Sequence, residues 1–226
     1  PISATELAIL KKWVAEGAAW RDHCAFQPIV KPAPPAVGEG WARTPIDRFV
    51  RARHEAEGLL PNDPADREAL IRRVSFDPTG LPPTPEEIDA FIADDKSGAY
   101  GRVVDRLLAS QRYGERQAQE WLDAARYADT DGYQADRGRS AWKWREWVIK
   151  AFNANQSFDE FAVEQLAGDL LPKPTLAQKI ATGFNRNHPT NSEAGSEPDE
   201  YRSQYVIDRA NTAATTFLGL TMGCAQ

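Results

Sequence analysis

The sequence predicts an all-α, irregular domain of about eight to ten helices with loop-rich connections. Two observations support this prediction. Helix start signals recur along the chain, each a Ser, Thr or Asp cap followed by proline or by Glu or Gln three residues on. In addition, no run of alternating β-branched residues is longer than about four, so a large sheet is not expected.

The composition is that of a globular chain that can bury a core without disulfides. The 226 residues are 42% hydrophobic and 27% charged, which excludes a disordered tail, a collagen and a disulfide-rich mini-protein. No apolar run reaches the roughly 18 residues of a membrane span. The 27 basic and 33 acidic residues give a net charge of −6, which argues against a nucleic-acid partner.

The first helix is predicted between Ser3 and Gly17. Ser3 and Glu6 have capping-box spacing, and Leu7 and Leu10 repeat at helical spacing after them. Residues 27–40 are rich in proline and glycine, which excludes a regular helix. This stretch therefore predicts an extended linker between residues 1–26 and a helical domain over 41–226.

The helical domain is predicted from recurring cap signals. Thr44 and Pro45 begin a helix that Gly58 ends, and Thr84 and Pro85 begin another that ends at Ala93. Residues 77–83 predict a rigid turn between helices. The remaining helices are predicted over 63–76, 100–110, 114–128 and 201–217, with two more that start at capping boxes of Ser157 and Thr175.

The most polar turn of this domain lies at 125–139. Asp129, Asp131 and Asp136 supply three carboxylates around a glycine, a pattern that allows a Ca²⁺ site although the spacing is not that of an EF-hand. The alternative is an Asx-turn at a helix end, in which the aspartates pair with arginines of the same stretch. Those arginines are Arg126, Arg137 and Arg139.

A second polar stretch, 185–197, lies between two predicted helices and contains one of three histidines. A His near a Glu on a loop can perform acid–base work, whereas the alternative is a solvated loop. One hypothesis is a carbohydrate-active enzyme in which this loop and the 129–139 turn converge on a pocket. Its candidate catalytic residues are Asp129, Asp131, Asp136, Arg139, His188 and Glu193.

A tryptophan-rich segment supports a further hypothesis, a non-catalytic helical scaffold. Trp142 and Trp144 are two residues apart and cannot share a helix face as closely as Trp144 and Trp147. At least one ring is therefore expected to point away from the core and to offer a partner surface. The alternative is that these rings pack inside the fold.

The two cysteines leave three interpretations open. Cys24 and Cys224 form a disulfide if the protein is exported, or they are buried free thiols. Cys224 is also placed as the first thiol of a Cys-x-x-Cys-His haem attachment site would be. Zinc-ligand spacing, a phosphate-binding loop, a dinucleotide fingerprint and a nucleophile elbow do not occur in the sequence.

Five strings of this sequence are long and specific. The chain resembles the large exported proteins of planctomycetes that contain domain-of-unknown-function family 1549, in order from about Trp41 to Gln226. The strings are IRRVSFDPTGLPP (71–83), LLASQRYGE (107–115), WLDAARYADTDGY (121–133), EQLAGDLL (164–171) and FLGLTMGC (217–224).

The resemblance implies an organisation and a cofactor. Residues 1–26 are expected to be the final helix of a preceding planctomycete cytochrome-C-like domain. In the family, the string that ends at Cys224 continues into a second Cys and a His, which completes a c-type haem motif; the present sequence stops before them. The resemblance therefore implies haem c in the full-length protein and a periplasmic or otherwise extracytoplasmic location.

An extracytoplasmic, haem-associated redox or electron-transfer module is accordingly the first functional hypothesis. Its expected partner is a redox protein or a following domain of the same polypeptide, with polysaccharide as a further expected partner by association. The resemblance implies no particular reaction. The carbohydrate-active enzyme is the second hypothesis and the helical scaffold the third.

Overall fold

A computed structural model of the chain describes residues 2–20, 22–23, 26–191, 195 and 197–223. Over these residues the chain forms ten α-helices and no β-strand, so the all-α prediction is confirmed. No helix within the described ranges is long and apolar enough to cross a bilayer. The chain divides into two compact units, Pro1–Pro64 and Ala65–Gln226.

The first unit contains two helices, α1 (Ala4–Ala15) and α2 (Pro45–Ala56). Both begin at capping boxes, in which the side chains of Ser3 and Thr44 accept a backbone N–H and their own backbone N–H groups donate to the carboxylates of Glu6 and Asp47. Neither helix contains a buried residue. Residues 28–40 contain no helix or strand. The domain boundaries proposed around residues 26 and 40 lie inside this unit and remain predictions.

The second unit contains the other eight helices, joined by short 3₁₀ turns at Gly168–Leu170 and Thr182–Arg186. A single π-helical turn, Ala214–Leu218, ends the last helix. The helices are α3 (Arg67–Thr79), α4 (Pro85–Ala93), α5 (Ala99–Leu108), α6 (Gln111–Ala124), α7 (Trp142–Asn153), α8 (Phe158–Ala167), α9 (Leu176–Ala181) and α10 (Pro198–Ala213).

Helix α3 differs from its prediction at both ends. It begins at Arg67 because Asp66 accepts the Ala69 N–H at 2.7 Å and so takes the cap position. It then continues through Pro78, so the first residues of the predicted rigid turn are helical. Gly80 ends the helix in the left-handed conformation at φ 69°, which glycine adopts without strain.

Helices α6 and α8 also differ from their predictions. Helix α6 begins at Gln111 rather than at Gly114, because Ser110 caps it, and it ends at Ala124 rather than at Ala128. Helix α8 begins after Ser157 as predicted, but the Ser157 side chain makes no cap hydrogen bond, so the capping box is wrong there.

An aromatic core joins α6, α7, α8 and α9. Trp144 and Trp147 are 3% and 8% exposed, whereas Trp142 is 47% exposed, which confirms that one ring points away from the core. Gly114 lets α6 approach α7 closely, because a Cβ there would lie 2.5 Å from the Ile149 carbonyl oxygen. A second, smaller cluster around Ile71 joins α3, α4 and α5.

Candidate functional site

The turn after α6 is held by the carboxylate of Asp129. This group accepts hydrogen bonds from the Tyr127 hydroxyl at 2.5 Å and from the Ala141 N–H at 2.9 Å, and it pairs with Arg145 at 3.4 Å. Burial opposes ionisation of Asp129, but these hydrogen bonds and the arginine charge outweigh it and lower its pKa. Burial and the bond to Asp129 raise the pKa of Tyr127 to about 12.

The predicted pairing of the aspartates with Arg126, Arg137 and Arg139 is corrected for Asp129, which pairs with Arg145. Asp136 instead holds the turn itself. It bonds the Thr130 side chain and accepts the Gly132 N–H at 2.8 Å, and these two bonds lower its pKa. For Asp136, the nearby charge of Arg139 does help to lower the pKa. The turn closes as a narrow loop through an isolated bridge between Thr130 and Gly138.

The same turn packs against the loop that precedes α10. Arg139 donates to the carbonyl oxygens of His188 at 2.8 Å and of Asn187 at 3.3 Å. The Thr190 N–H donates to the Asp131 carbonyl at 2.9 Å. The structure therefore brings together the two polar stretches, and the guanidinium of Arg139 is a main connection between them.

The ring of His188 packs against Tyr205 of α10 at a tilt of 50°. The centroids of the two rings lie 4.9 Å apart. Burial lowers the pKa of His188, and the nearby charge of Arg209 lowers it further. Its Nδ1 atom is buried and has no hydrogen-bond partner among the described residues.

A cleft of about 290 Å³ opens where the turn, the loop and α10 meet. We call it the tyrosine cleft, because three of its lining side chains are tyrosines. Helix α10 supplies most of the lining at helical spacing, so one stripe of the helix faces the cleft. The lining residues are Tyr133 from the turn, Pro189 and Asn191 from the loop, and Tyr201, Gln204, Tyr205, Ile207, Asp208 and Asn211 from α10.

The three tyrosines of the cleft are held by one another and by the loop. The rings of Tyr133 and Tyr201 meet edge to face with centroids 6.1 Å apart, and Tyr201 lies 6.2 Å from Tyr205. A hydrogen bond with Tyr133 and, secondarily, burial raise the pKa of Tyr201. The Tyr205 hydroxyl accepts the Asn191 N–H at 2.6 Å. These contacts give the cleft a preformed aromatic wall.

Asp208 is the one carboxylate among the lining residues of the tyrosine cleft. It pairs with Arg126, which follows α6 in a left-handed conformation at φ 60°. The second oxygen of Asp208 is buried and makes no hydrogen bond within the described part of the chain. The charge of the cleft wall is thus balanced, since the arginine neutralises its carboxylate.

The predicted site residues that the structure describes are not in the wall of this cleft. Asp129, Asp131, Asp136, Arg139 and His188 all belong to the turn and loop that build the cleft, yet none lines it. Glu193 lies outside the described residues. The lining side chains of α10 were missed. The signal for them was the recurrence of Tyr201, Tyr205 and Asp208 at helical spacing in the last helix.

The sequence allowed a Ca²⁺ site, and the family resemblance implied haem c in the full-length protein. The described residues contain no group of three or more His, Cys, Asp and Glu side chains that could hold a metal ion. A c-type haem needs two cysteines at positions i and i+3 and a His directly after the second. Residues 1–226 hold only Cys24 and Cys224, far apart, so they do not fit a c-type haem by themselves. Both cysteines lie outside the described residues.

Fold and site together define an all-helical domain with a preformed cleft of tyrosines and amides. The chain belongs to the family described as PSCyt2, protein of unknown function (DUF1549), whose profile matches residues 45–226. No curated protein and no solved structure matches the chain.

Proposed function

We propose that this domain binds a neutral saccharide in the tyrosine cleft. The observation that supports this proposal most strongly is the combination of aromatic rings and side-chain amides around one concave space. Tyr133, Tyr201 and Tyr205 supply the rings, and the amides come from Asn191, Gln204 and Asn211. The volume of about 290 Å³ lies near the lower end of the range for small-molecule sites, about 300–1,000 Å³.

The chemistry of a sugar matches such a wall. A sugar ring has apolar C–H faces, which pack on aromatic rings, and hydroxyl groups, which both donate and accept hydrogen bonds. A carboxamide offers two donors and an acceptor, so it can satisfy adjacent hydroxyls. Tyr133 is 38% exposed and offers its ring to a ligand. Asn211 makes no side-chain hydrogen bond within the described residues, so its amide is available.

The charge of the cleft favours a neutral ligand. The carboxylate of Asp208 is balanced by Arg126, and it is the one Asp, Glu, Lys, Arg or His side chain among the described lining residues. A cationic or anionic ligand would lose hydration without gaining an unpaired opposite charge. The proposal is binding rather than hydrolysis, because glycoside hydrolysis employs two carboxylates about 5–10 Å apart and the described cleft wall contains one.

The experiment is calorimetric titration of the protein with a panel of neutral oligosaccharides. At least one oligosaccharide is expected to bind. Gln204→Ala is expected to weaken its binding about five- to tenfold, which is the effect of one lost hydrogen bond. Val206→Ala is the matched control, since Val206 is an exposed residue of α10 that does not line the cleft. Absence of binding by the whole panel, or equal effects of the two variants, would refute the proposal.

We further propose that the domain accompanies a c-type haem in an exported polypeptide. The support is the family description, whose short name contains "Cyt", and the string 217–224 that ends in Cys224. The test is an absorption spectrum of the native, full-length protein. A Soret band with the α and β bands of haem c is expected. A spectrum without them, or a gene in which Gln226 is not followed by Cys and His, would contradict this proposal.

A further inference from the structure

A second concave site of the second unit lies between α6, the end of α7 and the start of α8. Its volume is about 360 Å³, and it shares no lining residue with the tyrosine cleft. We call it the aromatic pocket, because aromatic side chains form most of its wall. They are Tyr113, Trp121, Phe152, Phe158 and Phe161.

The rings of the aromatic pocket stand at steep angles to one another. Trp121 meets Phe158 at 82° with centroids 6.3 Å apart, and it meets Phe161 at 64° and 4.9 Å. Rings crossed in this way form a corner rather than a flat surface. A planar ligand in the corner packs its face on one ring and its edge on another, which is the geometry that aromatic pairs prefer.

The floor of this corner is fixed by the core. The Trp121 indole N–H donates to Gln165 at 2.9 Å, and Gln165 is fully buried. Trp147 stacks behind Phe161 with centroids 5.3 Å apart and an angle of 13°. The outer wall is different, because Phe158 is 61% exposed. A ligand in the pocket would cover that exposed ring and remove apolar surface from water.

Two polar side-chain groups of the pocket are available for hydrogen bonds to a ligand. The hydroxyl of Tyr113 and the side-chain amide of Asn155 line the pocket, and neither makes a hydrogen bond with a described residue. Both can donate to an acceptor. Asn155 is held in the left-handed region at φ 48° by the turn between α7 and α8, a conformation that asparagine tolerates better than most residues.

The described lining contains no Asp, Glu, Lys, Arg or His. From these observations we infer that the aromatic pocket binds an uncharged, planar aromatic molecule that carries a carbonyl or similar hydrogen-bond acceptor. The rings select a flat apolar body, the absence of charged lining residues disfavours ions, and the two donors select the acceptor.

Chromone, an uncharged planar bicyclic ketone, is the probe. Its binding to the intact chain is measured by calorimetric titration. Parallel titrations use naphthalene, which lacks an acceptor, and 2-naphthoate, which is an anion. Chromone is expected to bind one to one and more tightly than either comparison compound. Failure of chromone to bind, or binding no tighter than that of naphthalene, overturns the inference.

Three variants locate the binding. Phe158→Ala is expected to weaken chromone binding about tenfold, because the contact with the ring is lost. Asn155→Gly and Tyr113→Phe are each expected to weaken chromone binding about three- to tenfold and to leave the affinity for naphthalene unchanged. Glycine suits the left-handed backbone at 155, and Phe158 is exposed, so these variants should fold. Gln204→Ala is the control. Unchanged chromone affinity in all three variants overturns the inference.

Discussion

The tyrosine cleft and the aromatic pocket are both lined by rings that contact one another, yet they differ in the polar groups beside the rings. In the cleft, side-chain amides, tyrosine hydroxyls and a paired carboxylate accompany Tyr133, Tyr201 and Tyr205. In the pocket, Trp121 contacts both Phe158 and Phe161, and the described lining contains no charged side chain. The same aromatic walls therefore favour a hydroxyl-rich ligand in one site and a flat, mostly apolar ligand in the other.

The two sites also differ in how they are built. The wall of the aromatic pocket comes from helices that are consecutive in the chain, and the core directly behind it fixes the rings. The tyrosine cleft depends on a long polar turn and a loop, joined by the guanidinium of Arg139. The cleft should therefore be the easier of the two to disrupt without damage to the other.

Arg139→Ala should have the largest effect. It removes hydrogen bonds from a charged donor to three carbonyls, of Ala128, Asn187 and His188. The free energy of unfolding is expected to fall by about 3 kcal/mol, and saccharide binding should be lost while chromone binding persists. Urea unfolding and calorimetry of both ligands measure this. Arg137→Ala, an exposed neighbour, is the control; retention of saccharide affinity in Arg139→Ala would contradict this account of the cleft.

Tyr133→Ala should have an intermediate effect, confined to ligand binding. The ring is partly exposed and packs on Tyr201, so its loss is expected to weaken saccharide binding about tenfold. Tyr133→Phe should restore most of that affinity, because it restores the ring. Calorimetry on the two variants, with Tyr100→Ala as a matched exposed tyrosine elsewhere, checks the prediction. Equal weakening by the Phe and Ala variants would show that the ring is not the contact.

The smallest predicted effect concerns pH. The folded-state pKa of His188 is lowered, so the unfolded chain binds more protons than the folded chain as the pH falls below about 6.5. The stability of the native state should therefore decrease on acidification from pH 7 to pH 5, and Arg209, Arg139 and Asp208 are the charges around the ring.

His188→Gln should remove this component, so the variant should lose less stability between the two pH values than the parent chain. The comparison uses urea unfolding at each pH. Chromone affinity should not change over the same interval, because the described lining of the aromatic pocket contains no Asp, Glu or His. An identical pH dependence in the parent and the variant would exclude His188 as the source.

The helices could be predicted from local chemistry. Thr44, Thr84 and Thr175 each accept a backbone N–H at the start of the predicted helix. Errors arose where two local signals compete. Asp63 with Pro64 resembles a helix start, but Asp66 takes the cap and the helix begins at Arg67. Such competition is decided by packing, which a single sequence does not contain.

The candidate site could be predicted only in part. The polarity of the 125–139 and 185–197 stretches indicated two segments worth attention, and the described parts of both do meet. Gln204 and Asn211, however, look like ordinary polar residues of a surface helix. They become part of a site because α10 lies beside Tyr133, a residue about 70 positions earlier, and that proximity arises from tertiary packing.

Heteronuclear ¹H–¹⁵N NMR of the side-chain amides tests the central claim most directly, because each site contains its own Asn or Gln amide groups. Titration with neutral oligosaccharides is predicted to shift the amide signals of Gln204 and Asn211 and to leave that of Asn155 in place. Chromone is predicted to do the reverse. Saccharide-induced shifts at Asn155, or no shift at Gln204 and Asn211 with any neutral saccharide, would contradict the assignment of the tyrosine cleft as a saccharide site.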